Sequence, residues 1–190
     1  MKRLAIFASG SGSNAEQITN HFHNQGLDVC VELIMTNKPD AYVLARAKKL
    51  GVESQVFNRD TFYHSNDVIA LLQDRKIDLV VLAGFLWLVP QALISAFPDR
   101  IINIHPALLP KYGGKGMYGS NVHKAVVANK ETESGITIHL VDEIYDNGTI
   151  LRQEKCEVSS ADTAEQVAQK IHRLEYEYFP LTIEEYLAKI

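Results

Sequence analysis

Cysteine is scarce in this chain: Cys30 and Cys156 are the only two among 190 residues. A chain of this length can bury a core of its own, so it needs no disulfide framework and a reducing compartment fits. Long hydrophobic runs are missing as well. No apolar stretch approaches the ~20 residues of a membrane-spanning helix. Residues 1–10 turn from a short apolar run straight into Gly and Ser, which reads as a first strand rather than a signal peptide. The expectation is a cytoplasmic protein that does not engage a membrane. Charge of one sign is not in excess: 19 Lys plus Arg face 23 Asp plus Glu, a net charge of −4, so no global basic field exists to collect nucleic acid. Hydrophobic residues at 46% and charged residues at 22% exclude a disordered or fibrous chain. One domain over residues 1–190 is expected, with no repeat, low-complexity segment or linker.

What is present is an alternation of short Val-, Ile- and Leu-rich runs with longer stretches of helical period, the pattern of strands and crossover helices in a parallel sheet. Strands are predicted near 3–8, 29–35, 52–57, 78–83 and 101–105, and helices near 13–25, 40–50, 61–75 and 90–97, the last opened by Pro90 at its first position. A Pro- and Gly-rich segment over 106–116 is too long for a minimal connector and suits a functional loop. A helix near 119–130 follows, then strands over 135–141 and 149–158 joined by the turn residues Asp146, Asn147 and Gly148. The chain closes with a helix over 161–178, capped by Ser160 or Asp162, then Pro180 and a short terminal helix. The fold class is α/β: a doubly wound, mostly parallel Rossmann-like sheet with a C-terminal antiparallel addition.

Three places carry candidate chemistry. Ser9, Gly10, Ser11, Gly12, Ser13 and Asn14 lie between the first strand and first helix. Glycines fold the backbone tightly there, and the helix N-terminus offers unpaired N–H groups to a phosphate. The loop is neither a Walker A sequence nor a full dinucleotide fingerprint, and the alternative is that Ser13 or Asn14 simply caps the helix. Second, Asn103 and His105 alternate along the fifth strand and so share one face, with Ile102 and Ile104 on the other. At the carboxyl end of a strand an amide can donate to a developing oxyanion and an imidazole can move a proton; the alternative is a buried polar pair tied to backbone. Third, a carboxylate at Asp146 near His105 would favour the imidazolium, or Asp146 is a solvated turn residue. His21 and His23 do not share a helix face, and neither His139 nor Cys156 has ligand-like spacing. No metal site is expected.

Together these stretches carry a resemblance. Residues 9–14, the run Val81 Leu82 Ala83 Gly84 Phe85, the run Asn103 Ile104 His105 Pro106 Ala107 Leu108 Leu109 Pro110, and residues 135–148 resemble the folate-dependent phosphoribosylglycinamide (glycinamide ribonucleotide) formyltransferases over essentially the whole chain. The Asn-Ile-His-Pro motif is shared with the wider group of 10-formyltetrahydrofolate transferases; the glycine-serine loop and the length narrow it. The resemblance implies transfer of a formyl group from the co-substrate 10-formyltetrahydrofolate to the amine of glycinamide ribonucleotide in purine biosynthesis, by a monomer or homodimer with only small-molecule partners. It assigns Asn103, His105 and Asp146 to catalysis and gives His139 a supporting role. Gly12, Ser13 and Asn14 take the substrate phosphate and Glu175 the ribose. Folate falls to Arg59, Leu86, Trp87, Leu88, Val89, Asn103, Asp142, Glu143, Ile144, Tyr145 and Asp146. Residues 1–100 become a phosphate- and substrate-binding half, and 101–190 a folate-binding and catalytic half. Two stretches depart from the family: Leu86 Trp87 Leu88 Val89 stands where Met-Arg-Ile-Leu is common, and Gly113 Gly114 Lys115 Gly116 Met117 Tyr118 replaces a Pro-Gly loop. The implied mechanism is direct: the amine attacks, Asn103 and a protonated His105 stabilise the oxyanion, Asp146 raises the histidine's pKa, and a water held by Asp146 shuttles the proton.

Overall fold

A computed structural model describes all residues 1–190. Seven strands form one sheet: β1 (Lys2–Phe7), β2 (Val29–Thr36), β3 (Glu53–Val56), β4 (Leu79–Leu82), β5 (Ile101–His105), β6 (Glu133–Leu140) and β7 (Ile150–Glu157). Their order is β3-β2-β1-β4-β5-β6-β7. The first five run parallel, and β6 and β7 add antiparallel at one edge. Strand order reverses between β1 and β4, which opens a crevice at their carboxyl ends where sheets of this kind bind ligands.

Helices cover both faces, so the central strands are buried on each side and read as unbroken apolar runs. Leu79, Val80 and Val81 are all inaccessible to solvent. On one face α1 (Ser13–Asn24), α2 (Val43–Leu50), α5 (Ser120–Ala128) and α6 (Ala164–Leu187) pack around Leu4, Ile6, Ile34, Val81, Ile102 and Ile104. Helix α1 turns Ala15, Ile18 and Phe22 inwards, the three-and-four spacing of one helical stripe. On the other face α3 (Asp67–Asp74) and α4 (Gln91–Ala96) cover Phe7, Leu33, Met35, Val80 and Leu82.

Four local expectations need correction. The stretch near 61–75 is not one helix: a π-helical turn over Asp60–His64 is separated from α3 by extended backbone at Ser65. Asn58 and Thr61 hold that turn by mutual side-chain to backbone bonds, while Phe62 buries its ring among Phe7, Phe57 and Phe85. Pro90 is the residue before α4 and not its first position. Pro180 does not end the long helix; α6 runs through it to Leu187. A proline there removes one helical hydrogen bond, but Phe179, Pro180, Ile183 and Leu187 are all buried, so packing holds the helix together. The cap of α6 is Thr163, neither Ser160 nor Asp162: its hydroxyl accepts from the Gln166 N–H while the Gln166 side chain accepts from the Thr163 N–H. Asp162 instead pairs with Lys170 and accepts from the Ser159 N–H.

This capping box makes Thr163→Ala cost about 1 kcal/mol of folding stability in urea denaturation. Ser160→Ala, which removes no cap, leaves the midpoint where it is.

Candidate active site

The crevice at the switch point is a cleft of about 810 Å³. Its floor comes from the ends of β4 and β5, and its walls from the turns after these strands and after β1. The loop after β1 is fixed at several points. Ser9 Oγ donates to Asn37 Oδ1 at 2.7 Å and accepts from the Leu86 N–H at 3.1 Å. The Gly10 carbonyl accepts from the Val43 N–H, and Ser11's accepts from Arg46 Nε, whose guanidinium also pairs with Glu16. Gly12 has a φ of 74°, and a Cβ on it would lie 2.3 Å from Val43 Cγ2, so only glycine lets α1 start this close to α2.

Neither Ser13 nor Asn14 caps α1. The first backbone bond of the helix is Glu16 N–H to the Gly12 carbonyl, which leaves the N–H groups of Ser13, Asn14 and Ala15 without a protein acceptor at the cleft. Asn14 turns its amide inward and donates to Glu175 Oε2 at 3.0 Å, leaving its own Oδ1 buried and unpartnered. Glu175 is 7% exposed, and burial pushes its carboxyl above the usual range against the opposing pull of the Asn14 bond and His172.

The second cluster is built by strand pairing. Antiparallel register sets Asn103 opposite His139 and His105 opposite Thr137, so Asn103 Nδ2 reaches His139 Nε2 at 3.1 Å. His139 Nδ1 lies 2.7 Å from the Leu140 carbonyl. A carbonyl can only accept, so the proton is on Nδ1 and Nε2 receives the Asn103 amide. The turn between β6 and β7 brings in Asp146, with a φ of 54°. Its Oδ2 accepts from the Gly114 N–H at 2.9 Å and lies 3.4 Å from His105 Nδ1. Oδ1 is 3.5 Å from Asn103 Nδ2 and 3.7 Å from His139 Nε2. The Asp146 side chain is 10% exposed, so the solvated-turn alternative does not hold.

His105 departs from expectation in its charge. Its Nε2 donates to the Tyr112 carbonyl at 2.7 Å. Burial lowers its pKa below the ordinary histidine value and outweighs Asp146 and the Tyr112 bond, which both raise it. The ring is therefore neutral near pH 7, not protonated, and its bare Nδ1 faces a carboxylate. Asp146 titrates below the usual carboxylate range: burial would raise it, but His139, the charge of His105 and the Gly114 N–H together prevail.

Of the other sequence-stretch candidates, Leu86, Trp87, Leu88 and Val89 form one wall of the cleft and Asp142, Ile144 and Tyr145 face it. Arg59 and Glu143 do not line it. Arg59 instead lies over the outer face of Trp87, 4.9 Å from the ring centroid. Lys38, Tyr118, His123 and His172 also line the cleft; no local motif marks them, and only their positions in the fold bring them there. No group of three or more His, Cys, Asp or Glu is arranged to hold a metal ion, and no helix is long and apolar enough to cross a membrane.

A doubly wound domain with a cluster of titratable side chains and an open helix N-terminus in one crevice is an α/β domain arranged for ligand binding. The comparisons with known proteins agree and are more specific. Residues 2–183 match the family model described as Formyl transferase. The chain is 35% identical over 191 residues to the phosphoribosylglycinamide formyltransferase of Bacillus subtilis, covering 98% of this chain and 95% of that one. It superimposes on the crystal structure of phosphoribosylglycinamide formyltransferase from Bacillus Halodurans with a TM-score of 0.88 at 37% identity, over 99% and 96% of the two chains. The chloroplastic enzymes of that name from Arabidopsis thaliana and Vigna unguiculata are each 40% identical, and the chain spans 63% and 60% of their length. The chain belongs to the formyl transferase family, among the phosphoribosylglycinamide formyltransferases.

One titration follows from this geometry. His123 is 4% exposed, and burial, then His172 and His105, hold its pKa at about 4. The unfolded chain takes up a proton there that the folded chain refuses, so this contribution to stability is whole above pH ~6.5 and is lost as pH falls towards 4. Between pH 7 and 4 the wild type should lose about 3 kcal/mol more than His123→Gln does, measured by urea unfolding at each pH.

Proposed function

We propose that this protein transfers a formyl group from 10-formyltetrahydrofolate to the primary amine of glycinamide ribonucleotide, a step of purine biosynthesis. The observation that carries this reading is the convergence of Asn103, His105, His139 and Asp146 in the same cleft as the unpaired N–H groups of Ser13 and Asn14. Phosphate at the helix N-terminus and ribose at Glu175 anchor the nucleotide, with its amine directed to the cluster. Leu86, Trp87, Leu88 and Val89, facing Ile144 and Tyr145, offer an apolar slot with backbone edges for a flat heterocycle. In this reading residues 1–100 carry the phosphate side and 101–190 the catalytic side, with Leu86, Trp87, Leu88 and Val89 crossing over to the folate wall. The unpaired Cys30 and Cys156 support a reducing, cytoplasmic setting.

Bound 10-formyltetrahydrofolate supplies the formyl group. Asn103 has one N–H committed to His139 and a second only loosely aimed at Asp146, 3.5 Å away. That second N–H is free to turn to the oxygen that gains negative charge in the transfer. His105, neutral and with Nδ1 open beside Asp146, accepts the proton the amine loses as it attacks and returns it to the departing nitrogen. With that proton in place the imidazolium faces a carboxylate and the developing oxyanion, both of which favour it. Protonation thus belongs to the reacting complex and not to the free enzyme.

Purified protein given glycinamide ribonucleotide and a 10-formyl folate should deformylate the folate only when the amine is present. Asn103→Ala and His105→Ala should fold normally and lose ~10²–10³ of that rate. Amine-independent loss of formate, or near-normal turnover in both variants, would reject the reading.

A further inference from the structure

His123 has no part in the transfer just described, yet its surroundings are unlike those of a core residue. It is on α5 between Val122 and Lys124, 4% exposed, on the wall of the cleft. Val122 and Val126 of the same helix are core residues, packed on the sheet. The imidazole of His123 is different because it is buried and unmatched. Nδ1 is shut off from solvent and meets no hydrogen-bond partner. Only Nδ1 is sealed in this way, so the nitrogen open to the cleft is Nε2.

The position of the proton follows. A sealed N–H with no acceptor is rarer and costlier than a sealed lone pair, so the neutral ring carries its hydrogen on Nε2. Burial holds the ring neutral at physiological pH. The result is an uncharged N–H, held by a packed helix, directed into the cleft with nothing in the protein to accept it. Fixed donors of this kind in ligand sites orient what binds there.

Its neighbours define which part of a ligand lies opposite. His105, one of the two histidines it senses, belongs to the reacting cluster. His172, the other, is one helical turn before Glu175 on α6, and Glu175 is bonded to Asn14 beside the phosphate loop. The substrate atoms between the ribose and the attacking amine therefore pass His123. In glycinamide ribonucleotide those atoms are an amide, and its acceptor is a carbonyl oxygen. We propose that His123 is a substrate-binding residue whose Nε2–H donates to the glycinamide carbonyl, fixing how far the amine reaches towards His105. The proposal rests on the formyl-transfer reading and adds a residue that selects an aminoacyl amide over a bare amine.

Steady-state kinetics with three proteins and two substrates test it. His123→Phe keeps the volume and removes the donor; His123→Gln places an amide N–H near the former Nε2. With glycinamide ribonucleotide, His123→Phe should raise KM roughly tenfold, the worth of one hydrogen bond, and His123→Gln should recover most of that. With an analogue whose carbonyl is a methylene, wild type and His123→Phe should have the same KM. Binding of a folate analogue alone should be equal in all three. Equal KM for glycinamide ribonucleotide in wild type and His123→Phe overturns the proposal, and so does an equal loss on the methylene analogue, which would mean a merely structural role. If the wild type shows no amine-dependent transfer, the formyl-transfer reading itself fails, a result distinct from either of these.

Discussion

The site depends on one buried charge. Asp146 places a carboxylate with a 10% exposed side chain at the point where the end of β5, the end of β6 and the glycine loop after β5 meet. An isolated carboxylate there would be too costly to keep ionised. It stays ionised because the Gly114 N–H donates to it at 2.9 Å, the Asn103 amide approaches at 3.5 Å, and the His105 and His139 rings within 4 Å favour the charge. The two donors come from different segments, the loop after β5 and β5 itself, so satisfying the charge aligns them. The loop must bring Gly114 over the sheet, and a Cβ on the preceding Gly113 would lie 2.6 Å from Leu109 Cδ2 and 3.5 Å from Asp146 Cβ, so that leucine side chain would have to shift. Gly148 has to be bare for the same turn to close against the Leu140 carbonyl, 1.8 Å from where its Cβ would be.

The charge also organises the proposed chemistry by opposing burial. Burial lowers the pKa of His105, and Asp146 pulls the other way without prevailing. Because the two effects oppose each other, negative charge arriving on a bound substrate oxygen shifts the ring towards imidazolium. A fully exposed pair would be screened and a fully dominant carboxylate would protonate the histidine before substrate arrives. In the proposed reaction the enzyme thus holds a base that becomes an acid only when the reaction calls for it.

Much of this was legible in the residues alone, for identifiable reasons. The strands could be read because central parallel strands are buried on both faces and their apolar runs are unbroken. Asn103 and His105 could be placed on one face because strand alternation is strictly local. Continuity of α6 through Pro180 could not be read, since a local breaker competes there with the burial of Phe179, Ile183 and Leu187. The turn before Ser65 and the Thr163 cap likewise turn on a few local side-chain to backbone hydrogen bonds. Asp146 lies 43 positions from Asn103, and nothing between them specifies that they meet; the β5–β6 register does. Sequence shows the partner of His105 and hides its depth, so it points to an imidazolium where burial favours the neutral ring. Arg59 and Glu143 were assigned to the folate pocket by resemblance and lie off the cleft, whereas His123 and His172 carry no motif and line it.

The central claim is that burial and Asp146 oppose each other at His105, with burial ahead. NMR titration of the His105 ring in the free wild-type protein and in Asp146→Asn measures both. The account predicts a wild-type midpoint below the ~6.5 of a free histidine and a lower one still in the variant, which keeps the shape and removes the charge. A wild-type midpoint above that value, or one that does not move when the carboxylate becomes an amide, would contradict it.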